Sequence, residues 1–456
     1  MSPTTVTRRT ILKGAGALGL GALAGRAPAA HAEEQPRRAP NVVIVFCDDL
    51  GYGDLSCYGS SLIRTPVLDA MARRGMRFTD FYAGQPSCTP SRTALLTGRY
   101  APRANMGVVL QPTFQRGLAK QELTMPEYLK TRGYATGIFG KWHLGNPKLN
   151  PDWHPLEHGF DRYFGIPYSN DQLPLSLYDQ RTIIEEPPDQ ASLTRRCFEQ
   201  AIAFMGAHKD EPFLAYIPTP QPHSPLAAEA PNRSRGGVHG DSVEEIDRLV
   251  GSLLGALDDL GVRENTCVIF SSDNGPWFVG STGGLNGRKI ETYEGGQRIP
   301  CIIEWPGVVT PGQTYGEPTM NLDLLPTLLD HIGIEPDPTR PFDGRSILRA
   351  LRGRRVVDRG DVFYFDDTGA NGTLNAVRRG KWKLHRRRIS GPYFTIRQYQ
   401  PNEEMPQLFN LEDDLEESYD VSQRHPEIVE ELLRRLADFD AEVRADHAAR
   451  YPEAAA

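Results

Sequence analysis

Residues 41–49 read Asn-Val-Val-Ile-Val-Phe-Cys-Asp-Asp. An unbroken apolar run of this length, rich in β-branched residues, predicts a strand buried on both faces. Such strands belong to parallel sheets covered by helices on both sides. The run ends at Asp48 and Asp49, so two carboxylates stand just past a strand's carboxyl end, where open α/β sheets bind ligands. The same pattern returns at Cys267–Ser271, followed by Asp273-Asn274. Two polar clusters are therefore expected at one edge of one sheet.

Outward from that strand, helical and strand patterns alternate. Thr65-Pro66 opens a helix through Ala72, and Gly75 closes it. A helix near Pro126–Arg132 precedes a strand near Ala135–Phe139. A helix over Leu193–Ala207 precedes a strand over Phe213–Ile217. Val243, Ile246, Leu249, Val250, Leu253, Leu254 and Leu257 form an amphipathic helical stripe before the Cys267 strand. Strand Cys301–Glu304 and helix Leu322–Ile332 complete the set. After about Arg355 the texture changes to short antiparallel strands, Asp361–Asp366, Leu374–Val377 and Trp382–Leu384, and a closing helix over Pro426–Arg444. The expected architecture is α/β: a large, mainly parallel sheet covered on both faces, with a small C-terminal α+β unit. The boundaries are 1–32 for a leader, 33–355 for the large domain and 356–456 for the small one.

The chain has 456 residues, 39% of them hydrophobic, and a formal net charge of -7. The balance gives no sign of a nucleic-acid partner. Thr7-Arg8-Arg9-Thr10-Ile11-Leu12-Lys13, a short apolar stretch to Ala24, and Ala30-His31-Ala32 read as a secretory signal cleaved before Glu33. The apolar stretch is far shorter than the ~20 residues a bilayer needs, so no stable membrane insertion is expected. The paired arginines resemble the twin-arginine type, which implies the twin-arginine export machinery as a partner and a periplasmic or secreted location. Six cysteines are scattered without a C-x-x-C pair. Cys47, Cys267 and Cys301 lie in strand-like runs and are expected to be inert buried thiols.

Cys88 differs. In Ser87-Cys88-Thr89-Pro90-Ser91-Arg92, Pro90 fits a first helical turn, Cys88 or Thr89 its cap, and Gly98 the end. A thiol at a helix N-terminus, with Arg92 one turn further, suits an anionic substrate.

Cys88-Thr89-Pro90-Ser91-Arg92, followed by Leu95-Leu96-Thr97-Gly98-Arg99, resembles the signature of the sulfatase family. Five further stretches match that family's motifs in order: Asp48-Asp49-Leu50-Gly51-Tyr52-Gly53-Asp54, Gly140-Lys141-Trp142-His143-Leu144-Gly145, Pro222-His223-Ser224-Pro225, Ser272-Asp273-Asn274-Gly275, and Gly287-Arg288-Lys289 with Tyr293-Glu294-Gly295-Gly296. The resemblance implies an alkaline-phosphatase-like fold. It also implies a formylglycine, an aldehyde made from Cys88 by a formylglycine-generating enzyme before folding. Asp48, Asp49, Asp273 and Asn274 offer only oxygen ligands, which favour calcium or magnesium over zinc. The family likeness selects Ca2+, with modified Cys88 as a further ligand.

The implied reaction is hydrolysis of an aryl or carbohydrate sulfate ester by a hydrated aldehyde, through a covalent sulfate hemiester. Asp273 takes the attacking proton, and His223, with Lys289, protonates the leaving oxygen. Arg92, Lys141 and Lys289 balance charge on the sulfuryl group, and His143 assists breakdown of the hemiester. Lys141 and His143 face one side if the segment keeps a strand's period of two. Pro155–Asp161 and Phe164–Ser169 resemble the arylsulfatase A and N-acetylgalactosamine-6-sulfatase branch, where the serine matching Ser169 touches sulfate. A phosphonate monoester or phosphodiester hydrolase would use the same groups, and a silent sulfated-glycan binder would keep them unmodified. Basic Arg378–Arg388 reads as a solvated hairpin face or, as the second choice, a contact for a polyanionic glycan.

Overall fold

The computed structural model describes residues 39–354, 359–387 and 406–455. The expected leader and the boundary at 355/356 lie outside these residues. The main sheet contains β1 (Asn41–Cys47), β2 (Met76–Phe78), β4 (Ala135–Lys141), β5 (Arg162–Ile166), β6 (Leu177–Asp179), β7 (Thr182–Glu185), β8 (Phe213–Pro218), β9 (Thr266–Ser272), β10 (Cys301–Glu304) and β11 (Gln313–Tyr315). Its order is β11-β2-β10-β9-β1-β8-β4-β5-β6-β7. A separate small pair joins β3 (Phe81–Tyr82) to β12 (Thr319–Met320). The centre, β9-β1-β8-β4-β5, is wholly parallel. Antiparallel pairs enter only toward the flanks, at β10 and at β6–β7.

The apolar run at residues 42–47 divides by parity. Val42, Ile44 and Phe46 face one core, with Leu95 and Leu96 of α2 (Cys88–Thr97), Leu129 of α3 (Met125–Lys130) and Leu328 of α7 (Leu324–Ile332). Val43, Val45 and Cys47 face the other, with Leu68 of α1 (Pro66–Arg74), Phe198 of α4 (Gln190–Ala207) and Leu253 of α5 (Gly237–Asp259). All six are fully buried. Each such apolar side chain contributes roughly 1.5–3 kcal/mol. Burial on both faces is why the run shows no polar alternation.

The C-terminal sheet is antiparallel: β13 (Asp361–Asp366), β14 (Thr373–Arg379), β15 (Trp382–His385) and β16 (Gln407–Asn410), in that order. Leu432 and Leu436 of α9 (Pro426–Arg450) share a core with Val362, Tyr364 and Leu384. The same core takes in Tyr82, Ala94 and Met320, so the small unit packs directly behind α2.

The basic run corrects the expected solvated hairpin face in half of its residues. It alternates in and out with the strand period. Arg378 is buried against Asp80, and Lys383 is buried between Glu294 at 2.8 Å and Glu417 at 3.0 Å. Arg379 and Lys381 face outward and pair with Glu431 and Glu412. Arg388 lies outside the described residues.

Candidate active site

Five adjacent parallel strands end at one edge, and each delivers part of one cluster. Asp273 and Asn274 follow β9, Asp48 and Asp49 follow β1, and His223 lies beyond β8. Lys141 ends β4, His143 follows it, and Ser169 lies beyond β5. Cys47 pairs in register with Ser272, so the two acidic motifs leave the sheet side by side.

Helix α2 brings Cys88 to this edge. Ser87, extended at φ -154 and ψ 156, is the N-cap, and Cys88 is the first helical residue. The sequence reading set the start one or two residues later. The Ser91 N–H closes the first turn on the Ser87 carbonyl at 3.0 Å. Pro90 then falls among the first residues, whose N–H groups have no helical partner, so its missing donor costs nothing there. The Cys88 sulfur lies 3.4 Å from Asp48 Oδ1.

Three carboxylates and three cations interlock beneath it. Arg92 donates to Asp273 Oδ2 at 2.7 Å and to the Lys141 carbonyl at 3.1 Å. Lys141 Nζ reaches Asp48 and, at 3.0 Å, Ser169 Oγ. Lys289 Nζ lies 2.7 Å from Asp49 Oδ1. Asp49 has φ 64, a strained setting for a non-glycine residue, which aims its N–H at Asp273 Oδ1 (3.1 Å). His143 also has a positive φ of 58, so it reaches the site by a left-handed turn and not by strand alternation. Its Nε2 meets the Leu110 carbonyl at 3.0 Å.

Lys289 depends on backbone packing between two motifs. The Gly275 N–H donates to the Gly296 carbonyl at 2.9 Å, and Lys289 N–H donates to Pro276 at 3.0 Å. A Cβ on Gly275 would meet the Gly295 carbonyl at 2.0 Å. Only glycine allows this approach.

Burial sets the electrostatics. It pushes the Cys88 thiol far up, and Asp48 pushes in the same direction. The plain thiol is therefore a poor source of thiolate. Burial also pushes Asp273 up to about 7, with Asp48 adding to it. At Asp48 burial opposes ionisation, but Lys141, His223 and Arg92 outweigh it and hold the carboxyl well below the usual range. Burial and then Lys289 lower His223, and burial and then Lys141 lower His143 well below the usual imidazole range.

The residues fit a hard cation. Asn274 Nδ2 donates to Asp49 Oδ1 at 2.7 Å, leaving Asn274 Oδ1 buried with no partner. A buried amide oxygen without a donor is costly unless a cation takes its lone pairs. Ligand atoms of Asp48, Asp49, Cys88 and His223 lie within 4.8 Å of one another. Asp273 stands at the same edge with its oxygens turned to Arg92 and to the Asp49 N–H.

A cleft of about 730 Å³ opens above. Cys88, His143, Ser169, His223 and Lys289 line it; Arg92 and Lys141 are fully buried behind them. The geometry thus gives Arg92 and Lys141 a holding position. The cleft also contains residues the sequence reading missed: Asp171, Trp277, Phe278 and Asp367. Asp367 follows β13 in an Asp366-Asp367 pair, the same strand-end signal that exposed Asp48-Asp49.

Comparison with known proteins agrees with the family resemblance. The family model described as Sulfatase matches residues 40–334, and that of the C-terminal region of aryl-sulfatase matches 358–451. Human arylsulfatase A is 40% identical over 385 residues, covering 76% of this chain and 75% of its own length. The N-acetylgalactosamine-6-sulfatase of Canis lupus familiaris is 36% identical, covering 76% of this chain and 71% of its own. A solved structure described as part of the metabolism of multiple glycosaminoglycans by Bacteroides thetaiotaomicron superposes with a TM-score of 0.81 at 27% identity, covering 89% of this chain and 100% of that one.

Proposed function

This chain belongs to the sulfatase family and is a sulfuric ester hydrolase; on that premise we propose that it works through an aldehyde at residue 88 and a divalent cation, calcium by preference. The observation that carries this reading is the buried, unpartnered Asn274 Oδ1 beside the Asp48–Asp49–Cys88 cluster. The cation would be held by Asp48, Asp49, Asp273, Asn274 and residue 88. When bound, it supplies positive charge that lowers the pKa of a hydroxyl and offsets charge on a sulfuryl group. The aldehyde, once hydrated, supplies two hydroxyls on one carbon: one to attack sulfur, the other to expel sulfate afterwards.

The raised thiol supports conversion of Cys88, since an ordinary cysteine there would stay protonated. Cys88 is only 2% exposed, so a modifying enzyme has to act before the chain folds. That fits an exported protein whose residues 1–32 carry a twin-arginine-type leader. No helix among the described residues is long and apolar enough to cross a membrane.

The chain's own groups divide the work. Asp273, its carboxyl raised by burial and by Asp48, is suited to accept a proton from the attacking hydroxyl. Arg92 anchors Asp273, and Lys141 anchors Asp48 and Ser169, so these cations hold the acceptors in register. His223 turns Nδ1 to the Ser224 carbonyl and leaves Nε2 near Ser169 Oγ at 3.5 Å. When doubly protonated, it can deliver a proton from Nε2 to the departing oxygen. Lys289, which shares Asp49 with His223, lines the cleft as a second cation, and His143 Nδ1, buried without a partner, can receive the last hydroxyl proton.

The test combines metal content with parallel kinetics. The active protein should hold about one divalent ion and hydrolyse an aryl sulfate faster than the matched aryl phosphodiester. Stoichiometric zinc, or preference for the phosphodiester, would overturn the reading. N-terminal sequencing of the exported protein should begin at Glu33.

A further inference from the structure

The cleft walls differ sharply from the floor in charge. Among the described lining residues, Lys289 is the one lysine or arginine, and it is engaged by Asp49. The walls instead present two carboxylates, Asp171 and Asp367. Asp171 is exposed; Asp367 is half-buried, with Oδ1 taking the Val109 N–H at 2.9 Å. Apolar surface completes the walls, with Trp277, Phe278 and Leu173 lining the cleft and Leu173 75% exposed.

Resting on the sulfatase reading, we propose that the substrate is a singly sulfated and otherwise uncharged ring alcohol, selected by Asp171 and Asp367. Carboxylate oxygens accept hydrogen bonds from ring hydroxyl or amide donors; burial, with Asp366 adding to it, pushes Asp367 up to about 7, so its charge is fullest above neutral pH. The aromatic and aliphatic wall fits a ring face. A second anionic group on the ring would meet these carboxyl groups and, among the described lining residues, no lysine or arginine other than Lys289, which Asp49 engages. Like charges at contact range, near a protein surface, are strong enough for roughly ten-fold discrimination each. Asp367 comes from the C-terminal unit, so that unit forms part of the specificity wall. A polyanionic glycan, with charge on successive units, is the opposite kind of ligand.

The test uses two phenyl sulfates with similar leaving groups, one carrying a para acetamido group and one a para carboxylate. The wild-type protein should favour the acetamido compound in kcat/KM by about 30-fold or more, mostly through KM. D171N should narrow that ratio by about ten-fold, and D171N/D367N further still. Asp171 is exposed, so D171N carries no folding risk. An asparagine at 367 keeps an oxygen for the Val109 N–H. Equal or better turnover of the carboxylate by the wild-type protein overturns the proposal, as does an unchanged ratio in both variants. Absence of turnover with every monosulfate, in protein shown to carry the aldehyde, removes the sulfatase reading and this inference with it.

Discussion

Among the described residues, two of the buried charge clusters are built from the same ingredients. The catalytic floor has three carboxylates, Asp48, Asp49 and Asp273, and three cations, Arg92, Lys141 and Lys289. The joint to the C-terminal sheet has Asp80, Glu294 and Glu417 with Arg298, Arg378 and Lys383. In the joint, none of the buried charged atoms lacks a partner. Burial opposes ionisation of Glu294, yet Lys383, Arg298 and Arg378 surround it and depress its pKa. In the floor, Asn274 Oδ1, His143 Nδ1 and Arg92 Nε have no partner, and Asp273 is pushed up to about 7. A satisfied cluster fixes structure; an unsatisfied one, opening on a cleft, is left for ligands.

Substitutions at matching places should separate the two clusters. The largest effect is expected at Cys88. C88A should lower turnover by on the order of 10⁴-fold or more while leaving the unfolding temperature nearly unchanged. A variant that keeps more than about a tenth of the activity would show that residue 88 is not the nucleophile.

D273N comes next. It should lose metal and about 10³-fold in kcat, because it removes both a ligand and a proton acceptor. In metal-free protein D273N should destabilise less than E294Q: it removes the buried partner of Arg92, but the Asp273 carboxyl is already raised by burial and gains less by ionising. Calorimetry with and without calcium reads both halves.

H223A should depend on the leaving group. General-acid help typically contributes ~10²–10⁴-fold, and it matters for a sugar or alkyl alcohol far more than for an activated phenol. The acid must be protonated, and burial and Lys289 lower its pKa. Turnover of sugar sulfates should therefore begin to fall on the acid side of the ordinary imidazole range and keep falling as pH rises, while activated aryl sulfates stay comparatively flat. Equal losses for both leaving groups, with sulfuryl transfer rate-limiting, would reduce His223 to a binding residue.

E294Q should show the smallest effect on activity and a large one on stability. Breaking one partner of a buried ionic network costs about 3–5 kcal/mol. A carboxyl whose folded pKa is depressed stabilises above its unfolded value and loses that contribution as pH falls. The wild-type advantage over E294Q should thus be full at neutral pH and shrink below about pH 4.5. An activity loss rivalling D273N would erase the distinction between the clusters.

The sequence carried the floor more fully than the joint or the walls. Asp48, Asp49, Asp273 and Asn274 stand directly after apolar strands, so period and position reveal them without coordinates. Arg92 was legible as a neighbour of Cys88, but not as a fully buried anchor for Asp273, because that pairing spans 181 residues. In the joint, Arg378 and Lys383 are buried where the basic run predicts a solvated face. Their partners Asp80, Glu294 and Glu417 are distant in the chain, and only the β14–β15 register turns Arg378 and Lys383 inward. The walls come from separate loops and from the end of β13, with no shared period to reveal them.

The central claim is that the floor is completed by an aldehyde at residue 88, and mass spectrometry of the digested, active protein tests it most directly. The account predicts that the peptide from Ser87 through Arg92 lacks the cysteine sulfur, resists thiol alkylation and reacts with a hydrazide. A fully active preparation whose residue 88 is alkylated quantitatively as an ordinary thiol would contradict it.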